Sequence, residues 1–247
     1  MNLTDVNHWN ESYHGGSLVV NDDAIDYKLL SEVADKYIIS NPNDKKLSSV
    51  IEIGCCPGRF LAYFGTKGLI LNGLDFIDNV NNLKSQLIEN GFRADEFWMA
   101  DFEKFSTQKK FSIVCSFGFI EHFVNFDKML TKHADMVEPG GFIFVSTPNF
   151  RSGLQYLFHT LTDLTNRTKH HLPSMSINKW RSILIKNGFE ISYMGYVGNY
   201  YWDENSSKVR LQFWIQRGIR ILSSLYESVF GIDKNIGSHC VIVAKKV

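Results

Sequence analysis

Short apolar runs and amphipathic stretches take turns along this chain. Residues 50–53, 69–74, 96–100, 111–116 and 142–146 are brief apolar runs bounded by polar or glycine-containing segments, the pattern of buried strands. Between them, residues 60–65, 79–90 and 126–137 place apolar side chains at helical spacing. Residues 25–39 do the same through Ile25, Leu29, Leu30, Val33, Tyr37 and Ile38, and Asn41-Pro42-Asn43-Asp44 stops that helix. A further helix is predicted over 176–186, closed by Asn187-Gly188, with strands over 190–197 and 238–244. The stretch between those two strands predicts a long helix over 207–230. Residues 149–175 show no clear period and read as an irregular insertion, and residues 1–24 as a polar cap containing His8, Trp9, Tyr13 and His14.

Strands alternating with helices predict an α/β fold built on a parallel, doubly wound sheet. One domain is expected over 1–247: a cap (1–45), a core (46–149), and a region of insertions and last strands (150–247). Lysine plus arginine equals aspartate plus glutamate at 26 each, so no net field draws the chain to nucleic acid or to an anionic surface. The four cysteines, Cys55, Cys56, Cys115 and Cys240, lack zinc spacing, and a reduced, cytoplasmic protein is expected. No basic leader precedes an apolar stretch and no apolar run is long enough to span a bilayer, so neither a signal peptide nor a transmembrane segment is expected.

Candidate chemistry begins at Ser49-Val50-Ile51-Glu52-Ile53-Gly54-Cys55-Cys56-Pro57-Gly58-Arg59-Phe60, where an apolar run ends on an acid and a glycine loop opens into a helix. In an α/β protein such a turn aims backbone N–H groups and a helix N-terminus at a ligand. Gly54 and Gly58 are free to take positive φ and to let a ligand approach the backbone. Asp75 ends the next strand, where a carboxylate can accept from both hydroxyls of a ribose. Ala100-Asp101-Phe102 follows the third strand, and Cys115-Ser116-Phe117-Gly118-Phe119-Ile120-Glu121-His122-Phe123 the fourth. Glu138-Pro139-Gly140-Gly141 leads into the fifth.

In this order the motifs resemble the class I S-adenosylmethionine-dependent methyltransferases, nearest to the small-molecule set that includes the ubiquinone-biosynthesis enzymes. The resemblance covers residues 50–149 well and the last two strands loosely. It implies a Rossmann-like, seven-stranded, mostly parallel sheet with helices on both faces and an antiparallel last strand. It also implies S-adenosyl-L-methionine as methyl donor, S-adenosyl-L-homocysteine as product, and cofactor contacts from Glu52, Gly54, Cys55, Cys56, Pro57 and Gly58. Cys56 stands where the family usually has glycine, and Pro57 carries no N–H. By the same resemblance Asp75 takes the ribose, Asp101 accepts from the adenine amino group, and Phe102 or Phe76 lines the ring. Phe117 belongs to a segment flanking the cofactor, and Trp9 and Tyr13 to an N-terminal lid.

Methyl transfer to a hydroxyl needs the acceptor oxygen held in line and its proton removed. His122 is the first candidate base, with Glu121 to orient it or touch substrate, and His170 and His171 are the second. Adjacent histidines rarely chelate one ion and no aspartate pair accompanies them, so no metal is expected. Arg151, Arg167, Lys169 and Arg181 suit an anionic substrate group, and Tyr200, Tyr201 and Trp202 a sugar or ring. The 207–230 helix sets Arg210, Arg217 and Arg220 beside bulky apolar residues, a pattern fit to cover the substrate pocket, a membrane surface, a lipid-linked substrate or a second subunit. The expected reaction is O-methylation of a small metabolite or a glycan- or nucleotide-linked precursor. A quinone-like or lipid-linked phenol is the alternative acceptor, and a non-catalytic cofactor-binding protein the alternative class.

Overall fold

The computed structural model describes residues 18–20, 22–40, 47–151, 153–162, 164–199 and 210–247. The expectations for His8, Trp9, Tyr13, His14, Tyr200, Tyr201 and Trp202 fall outside those residues. In chain order the elements are α1 (Ile25–Ala34, continued by a π turn over Asp35–Ile39), β1 (Ser49–Ile53), α2 (Arg59–Thr66), β2 (Ile70–Asp75), α3 (Val80–Glu89), β3 (Ala94–Met99) and β4 (Phe111–Phe117). There follow α4 (Phe126–Met136), β5 (Val137–Pro148), α5 (Gly153–Thr162), α6 (Leu164–Thr168), α7 (Ile177–Lys186), β6 (Phe189–Asn199), α8 (Arg210–Phe230) and β7 (Gly237–Lys246).

The seven strands form one sheet in the order β3-β2-β1-β4-β5-β7-β6. β7 runs antiparallel to both β5 and β6, and the other pairings are parallel. Because strand side chains alternate faces, successive residues build two separate cores. Val50, Ile113, Phe142 and Val241 pack with α1, α2 and α3 on one face; Ile51, Val114, Ile143 and Ile242 pack with α4 and α7 on the other. The strand order reverses between β1 and β4, and in such sheets the crevice at that point, beyond the carboxyl ends, is where ligands bind.

Two expectations are corrected. Residues 149–175 are helical over α5, α6 and a 3₁₀ turn at Leu172–Ser174. The period is hidden because the inward positions of α5 include polar side chains: Gln155 is buried and its Nε2 donates to the Ile236 carbonyl at 2.7 Å, and His159 is buried against Phe150 at 3.9 Å between ring centres. β5 runs through Glu138-Pro139-Gly140-Gly141 instead of starting after it, with a register shift against β4 between Phe111 and Ile113 absorbing the turn sequence.

Among the described residues Trp180 of α7 is the largest wholly buried side chain, and its Nε1–H donates to the Ser174 carbonyl at 2.6 Å, tying the insertion to the second core. Trp180→Ala is expected to lower unfolding free energy by about 3–5 kcal/mol, measured by denaturant titration.

Candidate active site

The β1–α2 loop is shaped by its two glycines. Gly54 has φ +74° and Gly58 φ +94°, backbone that disfavours any Cβ. A Cβ on Gly54 would lie 2.8 Å from Phe119, and one on Gly58 would lie 2.2 Å from Leu83 of α3. The loop therefore sits down on the aromatic segment after β4 at one end and on α3 at the other.

Asp75 closes the loop from the β2 side. Its Oδ2 accepts from the Cys56 N–H at 3.0 Å, and its Oδ1 from the N–H groups of Phe76 at 2.8 Å and Ile77 at 3.4 Å. Burial pushes this carboxyl above the ordinary aspartate value, against the pull of those three donors. Cys56, the departure from glycine, thus supplies through its backbone a bond that fixes the carboxylate.

Beside it runs a pocket with an empty volume of about 740 Å³, its open mouth included, within the usual size of ligand clefts. Of the residues singled out in the sequence, Gly54, Cys56, Asp75, Phe76, Asp101, Phe102, Phe117 and His122 line it. Ala100, Gly118, Phe119 and Phe123, which lie in the two motif segments after β3 and β4 but carry no assigned role there, line it too, as do Leu74 and Ile77, which the motifs do not include. The loop carrying Asp101 is pinned from outside by Lys132 of α4, whose Nζ donates to the carbonyls of Phe102, Glu103 and Phe105 at 2.6, 2.9 and 2.8 Å. Behind the aromatic wall, His133 packs against Phe102 and donates through Nδ1 to Met129; burial lowers its pKa to about 4, so it stays neutral.

Other candidates lie off the pocket. Glu52 is buried below the loop on the α2 side with Oε2 lacking a hydrogen-bond partner, and burial raises its pKa well above the ordinary glutamate value. Cys55 packs in the first core, and Pro57 and Gly58 belong to the entry into α2. His171 donates its backbone N–H to the Glu121 carbonyl at 2.7 Å while its ring faces Phe126, 6.0 Å away between centres. Of the two adjacent histidines, only His170 approaches His122, with ring centres 4.7 Å apart. Arg167 is engaged with Thr160 and with the Tyr156 ring.

His122 sits in a 3₁₀ turn, Ile120–His122, that follows β4. Its Nδ1 lies 3.3 Å from the Lys169 carbonyl, which can only accept, so Nδ1 carries the hydrogen and Nε2 is left as the basic nitrogen. Nε2 is 4.0 Å from Glu121 Oε1. Glu121 is 1% exposed, its Oε2 has no partner, and burial raises its pKa to about 8. Glu121, His122 and His170 bring one potential ligand atom each within 4.8 Å of one another, a grouping that the adjacency of His170 and His171 did not foreshadow.

A pH signature follows from Glu121. The folded chain keeps a proton that the unfolded chain releases near 4.5, so the stability it contributes is full below that value and is lost as pH rises toward about 8. His133 acts in the opposite sense and lower window, its contribution being full above 6.5 and lost as pH falls toward about 4. Glu121→Gln is therefore expected to gain thermal stability relative to wild type as pH is raised through the Glu121 window, by roughly several degrees in a calorimetric scan.

The family model described as a methyltransferase domain matches residues 26–193. A ubiquinone biosynthesis O-methyltransferase of Rickettsia prowazekii is 27% identical over 62% of this chain and 58% of its own length. The human mitochondrial enzyme of that name is 22% identical over 64% of this chain and 47% of its own. The chain thus matches about half the length of these relatives. Among solved structures, magnesium protoporphyrin IX methyltransferase from Synechocystis PCC 6803, solved with bound S-adenosylmethionine, superposes with a TM-score of 0.58 at 14% identity, over 98% of this chain and 90% of that one. That likeness shows the fold, and the matched model shows the family. With the glycine loop and the strand-end acids in place around one pocket, the chain belongs to the class I S-adenosylmethionine-dependent methyltransferases.

Proposed function

We propose that this chain methylates a hydroxyl oxygen of a small acceptor, with His122 taking the hydroxyl proton. The observation that carries the reading is the sharing of one pocket by Asp75, Asp101 and His122, each at the carboxyl end of a different strand. When bound, S-adenosyl-L-methionine supplies a methyl group made electrophilic by its sulfonium. The residues fit that group: the cleft is large enough, the Gly54 loop presents backbone instead of side chain, and Asp75 keeps acceptor capacity beyond its three N–H donors. Asp75 would hold the ribose hydroxyls and Asp101, half-exposed at the rim, the adenine amino group. Phe76 and Phe102 would flank the base. Glu52, buried under the loop with burial holding its carboxyl toward the neutral form, would back the loop rather than meet the cationic end as a charge.

On the acceptor side, the His122 Nε2 is the atom that receives the proton, and Glu121 beside it would face the imidazolium that forms. Phe117, Phe119 and Phe123 exclude water around it. This aromatic lining, with the ubiquinone O-methyltransferase names of the relatives, supports a quinone-like or lipid-linked phenol as acceptor. A glycan- or nucleotide-linked hydroxyl is the second acceptor reading, drawing on Arg151 and Lys169 of the insertion.

His122→Ala is expected to lower turnover by about 10²-fold or more while stabilisation by S-adenosylhomocysteine in a thermal shift is kept. Unchanged turnover in the folded variant would remove His122 as base. Stabilisation by NAD, with none by either sulfur nucleoside, would overturn the donor assignment.

A further inference from the structure

Exposed bulk apolar side chains are concentrated in one place. Among the described residues, eighteen large hydrophobic side chains are exposed, and eleven of them fall within 156–164 and 214–232, on α5, α6, α8 and the residues just after it. α8 contacts both α5 and β6, so these elements make one continuous region. On α8 the face toward the body is marked by buried Ile219 and Ser223, one turn apart. The opposite face carries Trp214, Ile221, Leu225 and Val229, each 56% exposed or more, at spacings of seven, four and four. This stripe runs for about 22 Å at the helical rise.

Charge flanks the stripe on one side only. Arg217 and Arg220 are exposed beside it, and the one acid of the helix, Glu227, is half-buried and accepts from the Asn199 side chain. A helix lying on the body with an apolar ridge outward and arginines along its flank matches the interface of an anionic bilayer, where apolar side chains enter the acyl boundary and guanidinium groups meet phosphates. No helix among the described residues is long and apolar enough to cross a membrane, so the contact is one of lying on the surface.

We propose that the α5–α8 face docks on an anionic lipid bilayer, with α8 in the headgroup plane. The surface also connects to the candidate site: from exposed Leu164 the chain reaches His170, packed at a tilt against His122, within six residues. Docking there would present a lipid-linked acceptor to the acceptor side of the pocket, and this last clause rests on the proposed function.

The test is co-sedimentation of the full chain with vesicles of phosphatidylcholine alone and of phosphatidylcholine mixed equally with phosphatidylglycerol. Binding is expected to the mixed vesicles and to be much weaker to the neutral ones. Arg217→Gln with Arg220→Gln should weaken partition to the mixed vesicles roughly 30-fold, about fivefold per arginine. Leu225→Glu with Val229→Glu should abolish it. Stabilisation by S-adenosylhomocysteine, measured without vesicles, reports folding of each variant and tests the donor site separately. Wild type that stays in the supernatant with both vesicle types, or a doubly glutamate-substituted chain that binds like wild type, would overturn the proposal. So would a wild-type dimer in light scattering that Leu225→Glu with Val229→Glu converts to monomer, since a second copy would then be the occupant.

Discussion

The carboxylate of Asp75 is the junction on which the site depends. It sits at the end of β2, and three backbone N–H groups converge on it, one from the glycine loop and two from its own turn. Each bond is charge-assisted and formed in a nearly dry environment, where an unpaired oxygen would be costly. The same contacts that satisfy the carboxylate hold the β1–α2 loop against β2. The pocket's negative charge and its backbone wall are therefore set by one interaction. The burial that opposes ionisation is offset by those donors, and the upward push on the carboxyl is the residue of that contest.

Around this junction the sheet supplies position and the helices supply enclosure. β1, β2, β3 and β4 each deliver a loop to the same end, and the reversal of strand order between β1 and β4 opens the crevice. α4 then fixes the third of these loops through Lys132, which offers three donors to three carbonyls, and its buried neutral His133 backs the aromatic wall. The insertion after β5 is anchored on the far side: Asn149 donates to the carbonyls of Lys234 and Gly237 at 2.9 and 2.8 Å, and the His171 N–H to that of Glu121. His170 is carried to His122 by this anchoring.

What was legible in the sequence was local. A glycine loop after an apolar run, an acid at a strand end and turn residues before a strand keep their meaning whatever surrounds them, and Gly54, Asp75 and Asp101 were found in this way. The rest of the lining, such as Leu74 and Ile77, is apolar and looks like any core residue until the topology brings four strand ends together. Phe119 lies in the motif segment after β4, but its contact with Gly54, 65 positions away, has no local signal. Glu52 misled in the opposite direction: it belongs to the motif, but strand alternation turns its side chain under the loop and away from the lining. α5 was missed because Gln155 and His159 point inward, satisfied by partners far along the chain or by ring packing.

The central claim is that the N–H-bound Asp75 carboxylate recognises the ribose of the methyl donor. Titration calorimetry of S-adenosylhomocysteine into wild type and Asp75→Asn tests it most directly. An affinity loss of about tenfold to a hundredfold in a variant that unfolds cooperatively is the expected result, as suits the loss of charge-assisted bonds. Equal affinity in the two proteins would contradict it.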